Sequence, residues 1–336
     1  MTRSFNEALQ TRPKLRDQAQ DRFVAVSPLL IFPEALGAFR VYLKQGNWYV
    51  LYASENERFT EEHSRQLHEN GVSEVFIEAH QQPQYEQYIE DNLGDILSNT
   101  NLPIESRANF FYGVSSHILK NVYTSHLPDD MDEEKYTRIE NFVKQSTAFL
   151  SKEESIKAIS SFVSHDYKTY THCVHVFLYT MMVLHQYSMT EKDMVQYGIG
   201  AVLHDIGKTR ISRDILNKSG KLTPQERERI NNHPVLGVAV CSKLSLSQEA
   251  VNSILFHHER NDGRGYPAGL RAADIPLPVR VISMADAYDA LTSDRPYARG
   301  MRPFSALSII RDTRIGSYDK QVYKQFIMML GGAGLV

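Results

Sequence analysis

The 22 residues from Thr169 to Thr190 carry no formal charge, and no other run constrains the chain as strongly. A stretch of this length can nominally cross a bilayer. It also holds His172, His175, His185 and several hydroxyls, groups that are costly in lipid, so it is predicted to be a buried helix of a protein that does not enter a membrane. With 336 residues the chain exceeds the usual single domain. Apolar residues at 42% and charged residues at 23% are globular proportions that exclude disorder throughout. The net charge of -3 hides an asymmetry, because residues 1–150 carry a net -8 and residues 151–336 a net +5. A mild positive excess suits an anionic ligand, but it falls far short of the basic stripe that a nucleic-acid polymer requires.

Two cysteines, Cys173 and Cys241, cannot build a disulfide framework. The segment from Met1 to Arg22 has no apolar stretch of the signal-peptide kind, so the expected location is the cytoplasm. Phe39 to Leu43 and Trp48 to Tyr52 read as strands, with Gln45-Gly46-Asn47 as the turn of a hairpin. Thr60 followed by Glu61 and Glu62 is an N-cap signal, and Val75-Phe76-Ile77 returns to strand composition. Beyond Gln84 the texture is helical, broken by the acidic run from Pro128 to Glu134. Ser151 with Glu154 fits a capping box, Thr190 opens another acidic first turn, and Thr223-Pro224-Gln225-Glu226 combines cap, proline and acid. The expected architecture is therefore multidomain: a small α+β accessory or regulatory domain over 1–103, a helical connector over 104–150, and an all-α domain over 151–336. Neither a Walker loop nor a Rossmann fingerprint occurs.

The residues that carry chemistry are His172, the pair His204-Asp205, His233, the doublet His257-His258, and Asp286. Small and apolar residues precede His204, and Gly207 suits a helix C-cap, which puts His204 and Asp205 in the last turn. A carboxylate at that negative end of the helix needs a compensating cation. Adjacent helical side chains diverge by about 100°, so the pair is suited to a cluster beside the helix more than to chelating one ion. Seven nitrogen and oxygen donors exceed what one ion normally takes from protein, and two metals are the economical inference. His175 is expected to bond a backbone carbonyl, and Asp289 to serve as a structural ion pair or cap.

The series His204-Asp205-Ile206-Gly207-Lys208, Lys221-Leu222-Thr223, His233-Pro234, His257-His258-Glu259-Arg260-Asn261-Asp262-Gly263-Arg264-Gly265-Tyr266-Pro267, Ala285-Asp286-Ala287-Tyr288-Asp289 and Asp294-Arg295-Pro296-Tyr297 resembles the HD-GYP family. These are bacterial phosphodiesterases of cyclic di-GMP among the HD metal-dependent phosphohydrolases. The resemblance covers roughly Ser151 to Phe326, and the family's ligand positions fall on His172, His204, Asp205, His233, His257, His258 and Asp286. Where some relatives place a further glutamate ligand, one turn before the first histidine, this chain has Lys168, which argues for two ions. Ala298 stands where some relatives have a basic substrate contact, with Arg299 beside it.

The resemblance implies catalysis by His204, Asp205 and Lys208, substrate contacts from Lys208, Tyr266 and Arg295, and two divalent ions, with iron or manganese ahead of zinc, cobalt or nickel. In the expected mechanism Asp205 bridges the ions; His172, His204 and Asp286 complete one site, and His233, His257 and His258 the other. A hydroxide between ions about 3.5–4 Å apart attacks phosphorus in line, opening cyclic di-GMP to pGpG, with pGpG or GMP as the end product. The alternatives are another cyclic dinucleotide as substrate, or a catalytically weak cyclic di-GMP receptor. A homodimer is a further expectation, from the helical connector.

Overall fold

The structure is a computed structural model that describes residues 9–10, 12–16, 22–28, 31, 37–124, 131–160, 169–218, 220–294, 299–313 and 316–335. The chain divides into two compact units, Met1–Leu102 and Pro103–Val336.

The first unit is built on strands β1 (Lys14–Arg16), β2 (Phe23–Val26), β3 (Val41–Gln45), β4 (Trp48–Ala53) and β5 (Val75–Glu78). They form an antiparallel sheet in the order β1-β4-β3-β5-β2. The predicted hairpin is β3–β4, closed at Gly46, whose φ of 58° lies where a residue without Cβ is unstrained. Helices α1 (Glu61–Glu69), α2 (Gln82–Asp91) and α3 (Leu93–Ser98) follow. Thr60 caps α1 as predicted, and His63 closes the capping box by accepting from the Thr60 N–H at 3.1 Å. Phe39 packs edge-on against Tyr85 and Tyr88. Glu78 is buried in this unit with its partners around it: Arg22 Nη2 at 3.3 Å, the Tyr42 hydroxyl at 3.2 Å and Arg40 Nη1 at 3.6 Å.

The second unit is helical among the described residues. Its elements are α4 (Ile104–Thr124), α5 (Glu133–Leu150), α6 (Glu153–Ser160), α7 (Thr169–His185), α8 (Glu191–Leu203), a 3-10 turn (Ile206–Arg210), α9 (Arg213–Leu216), α10 (Pro224–Asn231), α11 (His233–Val240), α12 (Gln248–Phe256), α13 (Leu277–Thr292), α14 (Pro303–Thr313) and α15 (Lys320–Gly332). The uncharged run is α7. It packs against α4, α8 and α13, and every residue from Thr171 to Leu184 is buried. A helix covered on all sides has no solvent face on which to carry charge, which is the physical reason for its composition. No described helix is long and apolar enough to cross a membrane.

Helices α4 and α5 occupy the stretch expected as a connector; they lie within the same compact unit, α4 against α7 and α5 against α8. Thr190 and Thr223 cap α8 and α10 as predicted, the latter in a full capping box with Glu226. The prediction for Ser151 fails. Ser151 ends α5, donating its hydroxyl to the Ala148 carbonyl at 2.8 Å, and α6 begins two residues later. A serine can satisfy either end of a helix, and the continuation of α5 to Leu150 decides which end it meets. Gly207 also departs from expectation. Its backbone is not left-handed; instead it lies so close to α11 that a Cβ would overlap the His233 carbonyl and the Gly237 nitrogen.

Candidate metal centre

Three of the histidines sit at helix ends. His204 is the C-cap of α8, His257 is the C-cap of α12, and His233 begins α11 directly after the C-cap of α10. Each turns its Nδ1 to the carbonyl three residues earlier: His204 to Ala201 at 2.7 Å, His233 to Ile230 at 2.7 Å and His257 to Ile254 at 2.9 Å. Helix ends leave such carbonyls without intrahelical partners. A carbonyl only accepts, so Nδ1 donates in every case and Nε2 of the neutral ring is a bare lone pair. Burial pushes the pKa of His204 and His257 below the ordinary imidazole value, which keeps both rings neutral. His172, within α7, is fixed differently: its Nδ1 donates to Asp289 Oδ2 at 2.7 Å.

The consequence is electrostatic. His172 Nε2 lies 3.3 Å from His204 Nε2, and His233 Nε2 lies 3.1 Å from His257 Nε2. Acceptors thus face acceptors at hydrogen-bond distance, an arrangement that is favourable only with a proton or a cation between them. Asp205 stands between the two pairs. Its Oδ2 is 3.6 Å from His172 Nε2 and 3.5 Å from His204 Nε2, while its Oδ1 is 3.2 Å from His233 Nε2 and 3.9 Å from His257 Nε2. Oδ1 is buried and accepts no hydrogen bond from a described residue. Asp286, on α13, places Oδ1 at 3.2 Å from His172 Nε2 and Oδ2 at 3.6 Å from His258 Nδ1. The donor atoms fall into one group of Asp205, His233, His257 and His258 and another of His172, His204 and Asp286.

Burial opposes ionisation of Asp205, but the Lys208 ammonium and the rings of His204 and His233 hold its carboxyl well below the usual range. Burial likewise opposes ionisation of Asp286, but its neighbours His172 and His258 hold the carboxyl well below the usual range. For His258, burial lowers the pKa to about 3. The cluster therefore offers ionised carboxylates together with imidazoles, of which His204, His257 and His258 are held neutral, a donor set that fits divalent transition metals. Lys208 Nζ lies 2.5 Å from Asp205 Oδ2.

The Gly-rich loop is held against the doublet by a residue that the sequence reading did not single out. Glu259 is buried and accepts from three successive N–H groups, Ala268 at 2.6 Å, Gly269 at 3.0 Å and Leu270 at 2.9 Å. Gly265 lies against the His258–Arg260 backbone where a Cβ would not fit. Tyr266 donates its N–H to the His258 carbonyl at 3.3 Å, and its ring centroid is 4.8 Å from that of His258. Burial pushes the Tyr266 phenol upward, which keeps it a protonated donor.

Two expectations are corrected here. His175 does not bond a backbone carbonyl; it bonds Asp289 Oδ1 at 2.8 Å through Nδ1 and the Tyr112 hydroxyl at 3.1 Å through Nε2. Asp289, expected as an ion-pair or cap residue, accepts hydrogen bonds from the buried His172 and His175 together. Cys173, left out of the ligand set, also comes within reach of His204 and Asp205; burial pushes its thiol up to about 12, so it is neutral. Lys168, Arg295 and Ala298 lie outside the described residues.

The HD domain family matches residues 178–322, a span that contains six of the seven clustered residues and starts after His172. The chain is 37% identical over 169 residues to the cyclic di-GMP phosphodiesterase PA4108 of Pseudomonas aeruginosa, covering 49% of this chain and 40% of that protein. It is 34% identical over 152 residues to the 3'3'-cGAMP-specific phosphodiesterase 3 of Vibrio cholerae, covering 45% and 33%. To a cyclic di-GMP phosphodiesterase of Thermotoga maritima it is 29% identical over 215 residues, covering 63% and 58%. The chain thus spans from a third to under three-fifths of the length of these relatives. Among solved structures, Bd1817, an HDG"Y"P protein of Bdellovibrio bacteriovorus, shares the fold with a TM-score of 0.62 at 20% identity, over 92% of this chain and 99% of that one. The HD domain match thus falls on the part of the chain where the ordered histidines, Asp205 and the Gly265-Tyr266-Pro267 loop are gathered at one place, the features on which the resemblance to the HD-GYP family rests.

Proposed function

We propose that this chain is a metal-dependent phosphodiesterase that hydrolyses cyclic di-GMP to pGpG or GMP. The observation that carries the reading is the pair of facing imidazole lone pairs on either side of Asp205. His172, His204 and Asp286 would hold one divalent ion and His233, His257 and His258 a second, with one oxygen of Asp205 for each; iron and manganese are the favoured metals. Such ions supply Lewis acidity and a nucleophilic water at neutral pH. The Lys208 ammonium, held beside Asp205, is placed to balance charge that grows on a phosphoryl oxygen. Tyr266 offers an aromatic face beside His258 for a base. Arg295, with a guanidinium suited to phosphate oxygens, completes the substrate contacts. Residues 1–103 are read as an accessory or regulatory domain.

Anaerobically purified protein, analysed for metal and assayed on cyclic di-GMP with product identification, tests this reading. Conversion of cyclic di-GMP to pGpG or GMP with about two metal ions per chain is expected; metal-replete protein that turns over no cyclic dinucleotide would overturn it. The similarity to a 3'3'-cGAMP-specific enzyme of Vibrio cholerae favours a second reading, in which 3'3'-cGAMP is the preferred substrate. Competition between the two dinucleotides in one reaction decides between them.

A further inference from the structure

Four of the clustered imidazoles have an Nδ1 that donates to a fixed acceptor, and they divide into two kinds. His204, His233 and His257 lean on backbone carbonyls of their own helix ends. His172 alone leans on a side chain, Asp289, and that side chain has further partners. Asp289 Oδ1 takes His175 Nδ1 at 2.8 Å, and Asp289 Oδ2 takes the Ser293 hydroxyl at 3.1 Å in addition to His172. A carboxylate only accepts, so His175 Nδ1 carries the proton. Its Nε2 then accepts, and the donor there is the hydroxyl of Tyr112 on α4, at 3.1 Å. The Tyr112 ring lies nearly parallel to that of His175, at 22° with centroids 6.1 Å apart. The chain of donors therefore has a single direction, from Tyr112 through His175 to Asp289, where His172 also donates. His172, His175 and Asp289 are each almost fully buried, at 1% exposure, where an unsatisfied or tilted partner is costly.

We propose that Tyr112 and His175 are positioning residues for the His172 half of the metal centre. By occupying Asp289 Oδ1 they hold the carboxylate in the one rotation that presents Oδ2 to His172, and so aim His172 Nε2 at the cluster. The helix that bears Tyr112 is the first one after the boundary between the two units. A shift of α4 at Tyr112 would thus be felt at His172. The inference rests on the metal-centre reading above, and its test reads metal affinity without needing turnover.

The experiment is a Co2+ titration of the metal-stripped full chain, followed by visible absorbance and by competition with a chelator, for the parent, Tyr112→Phe, His175→Asn, His175→Leu and Asp289→Asn. Outer partners of metal-bound histidines typically change affinity by about 10- to 100-fold. A loss of that size is expected for Asp289→Asn and His175→Leu, confined to one of two cobalt ions. Tyr112→Phe should weaken the same ion by roughly three- to tenfold, as befits a partner one bond further out. His175→Asn keeps a donor toward Asp289 and should recover much of what His175→Leu loses. Melting of the stripped proteins separates positioning from folding, because Tyr112→Phe should melt close to the parent. Parent-like affinity for both ions in Tyr112→Phe and His175→Leu would overturn the proposal while leaving the metal centre standing. Equal weakening of both ions, or losses that merely follow apo stability, would overturn it as well. Failure of the parent to take up cobalt would remove the metal centre and this proposal together.

Discussion

Each unit of the molecule buries a polar cluster, and the two are built on opposite principles. Around Glu78 donors and acceptors balance: the one carboxylate meets Arg22, Arg40 and the Tyr42 hydroxyl. Around Asp205 they do not. Imidazole Nε2 atoms face one another at hydrogen-bond distance, and the buried Asp205 Oδ1 accepts no hydrogen bond from a described residue. A closed balance of donors and acceptors marks a cluster that serves the fold. A surplus of acceptors marks one that awaits a cation. Counting donors against acceptors separates the two more sharply than burial does, because Glu78 and Asp205 are both buried.

The contrast breaks most visibly at Asp205. Asp205→Ala together with His204→Ala should lower turnover by at least about 1,000-fold, roughly 4 kcal/mol in barrier, with helical circular dichroism retained; substantial activity in metal-replete assays would show that the open cluster is not the catalyst. Metal removal is the next largest effect. An ion at 1,000 times its dissociation constant stabilises a native state by about 4 kcal/mol, so chelation should lower the melting transition of the second unit and leave that of the first in place. Glu78→Gln tests the closed cluster. It should cost about 1–3 kcal/mol, from buried partners left imperfectly satisfied, while metal content and the second unit's transition stay unchanged. If metal content falls, the two clusters are not independent.

Glu259→Gln sits between the two kinds, since it leaves the metal donors intact and weakens the three N–H contacts that hold the Gly-rich loop. About 1–2 kcal/mol of local stability should be lost, with KM rising severalfold and bound metal unchanged. The smallest effect belongs to Asp319, which caps α15 and pairs with Arg280 at 2.8 Å. Burial opposes its ionisation, but the backbone N–H of Val322 and Arg280 hold the pKa below the ordinary carboxylate value. Asp319→Ala should cost about 1 kcal/mol near neutrality. Because the folded pKa is the lower one, that contribution is present above the unfolded value near 4 and fades as pH falls through the folded pKa. Denaturant midpoints of the two proteins should therefore converge in acid and stay apart at pH 7.

Much of this was legible in the sequence where a residue's chemistry has only one use. The uncharged run, with His172, His175 and His185 in it, read as a buried helix in preference to a membrane span, and α7 is buried from Thr171 to Leu184. The β3–β4 hairpin and the caps at Thr60, Thr190 and Thr223 follow from turn and capping chemistry that is local to a few residues. The histidine and aspartate series was readable as a candidate metal centre, and the structure gathers its donor atoms into two groups. What was not legible depends on which surface a residue meets. Asp286 and Asp289 share a face of α13 by their spacing, and nothing local tells that Asp289 meets His175 as well as His172. Glu259 reads as a charge after two histidines until the chain folds back to bring Ala268, Gly269 and Leu270 to it. Ser151 could serve the end of one helix or the start of the next, and only the length of α5 decides.

Gly207 carries a consequence for how such a centre can change over time. The 3-10 turn that bears Lys208 and follows Asp205 touches α11 backbone to backbone at Gly207 and Gly237. Any side chain at Gly207 would act as a wedge, prising His233 away from Asp205 while leaving every donor atom in the sequence. The two halves of the cluster are riveted there without a spacer, so a descendant that swapped one metal for a larger one would have to re-anchor two helices at once. Drift at this glycine is a route by which the chain could keep its full complement of histidines and lose the ability to use them.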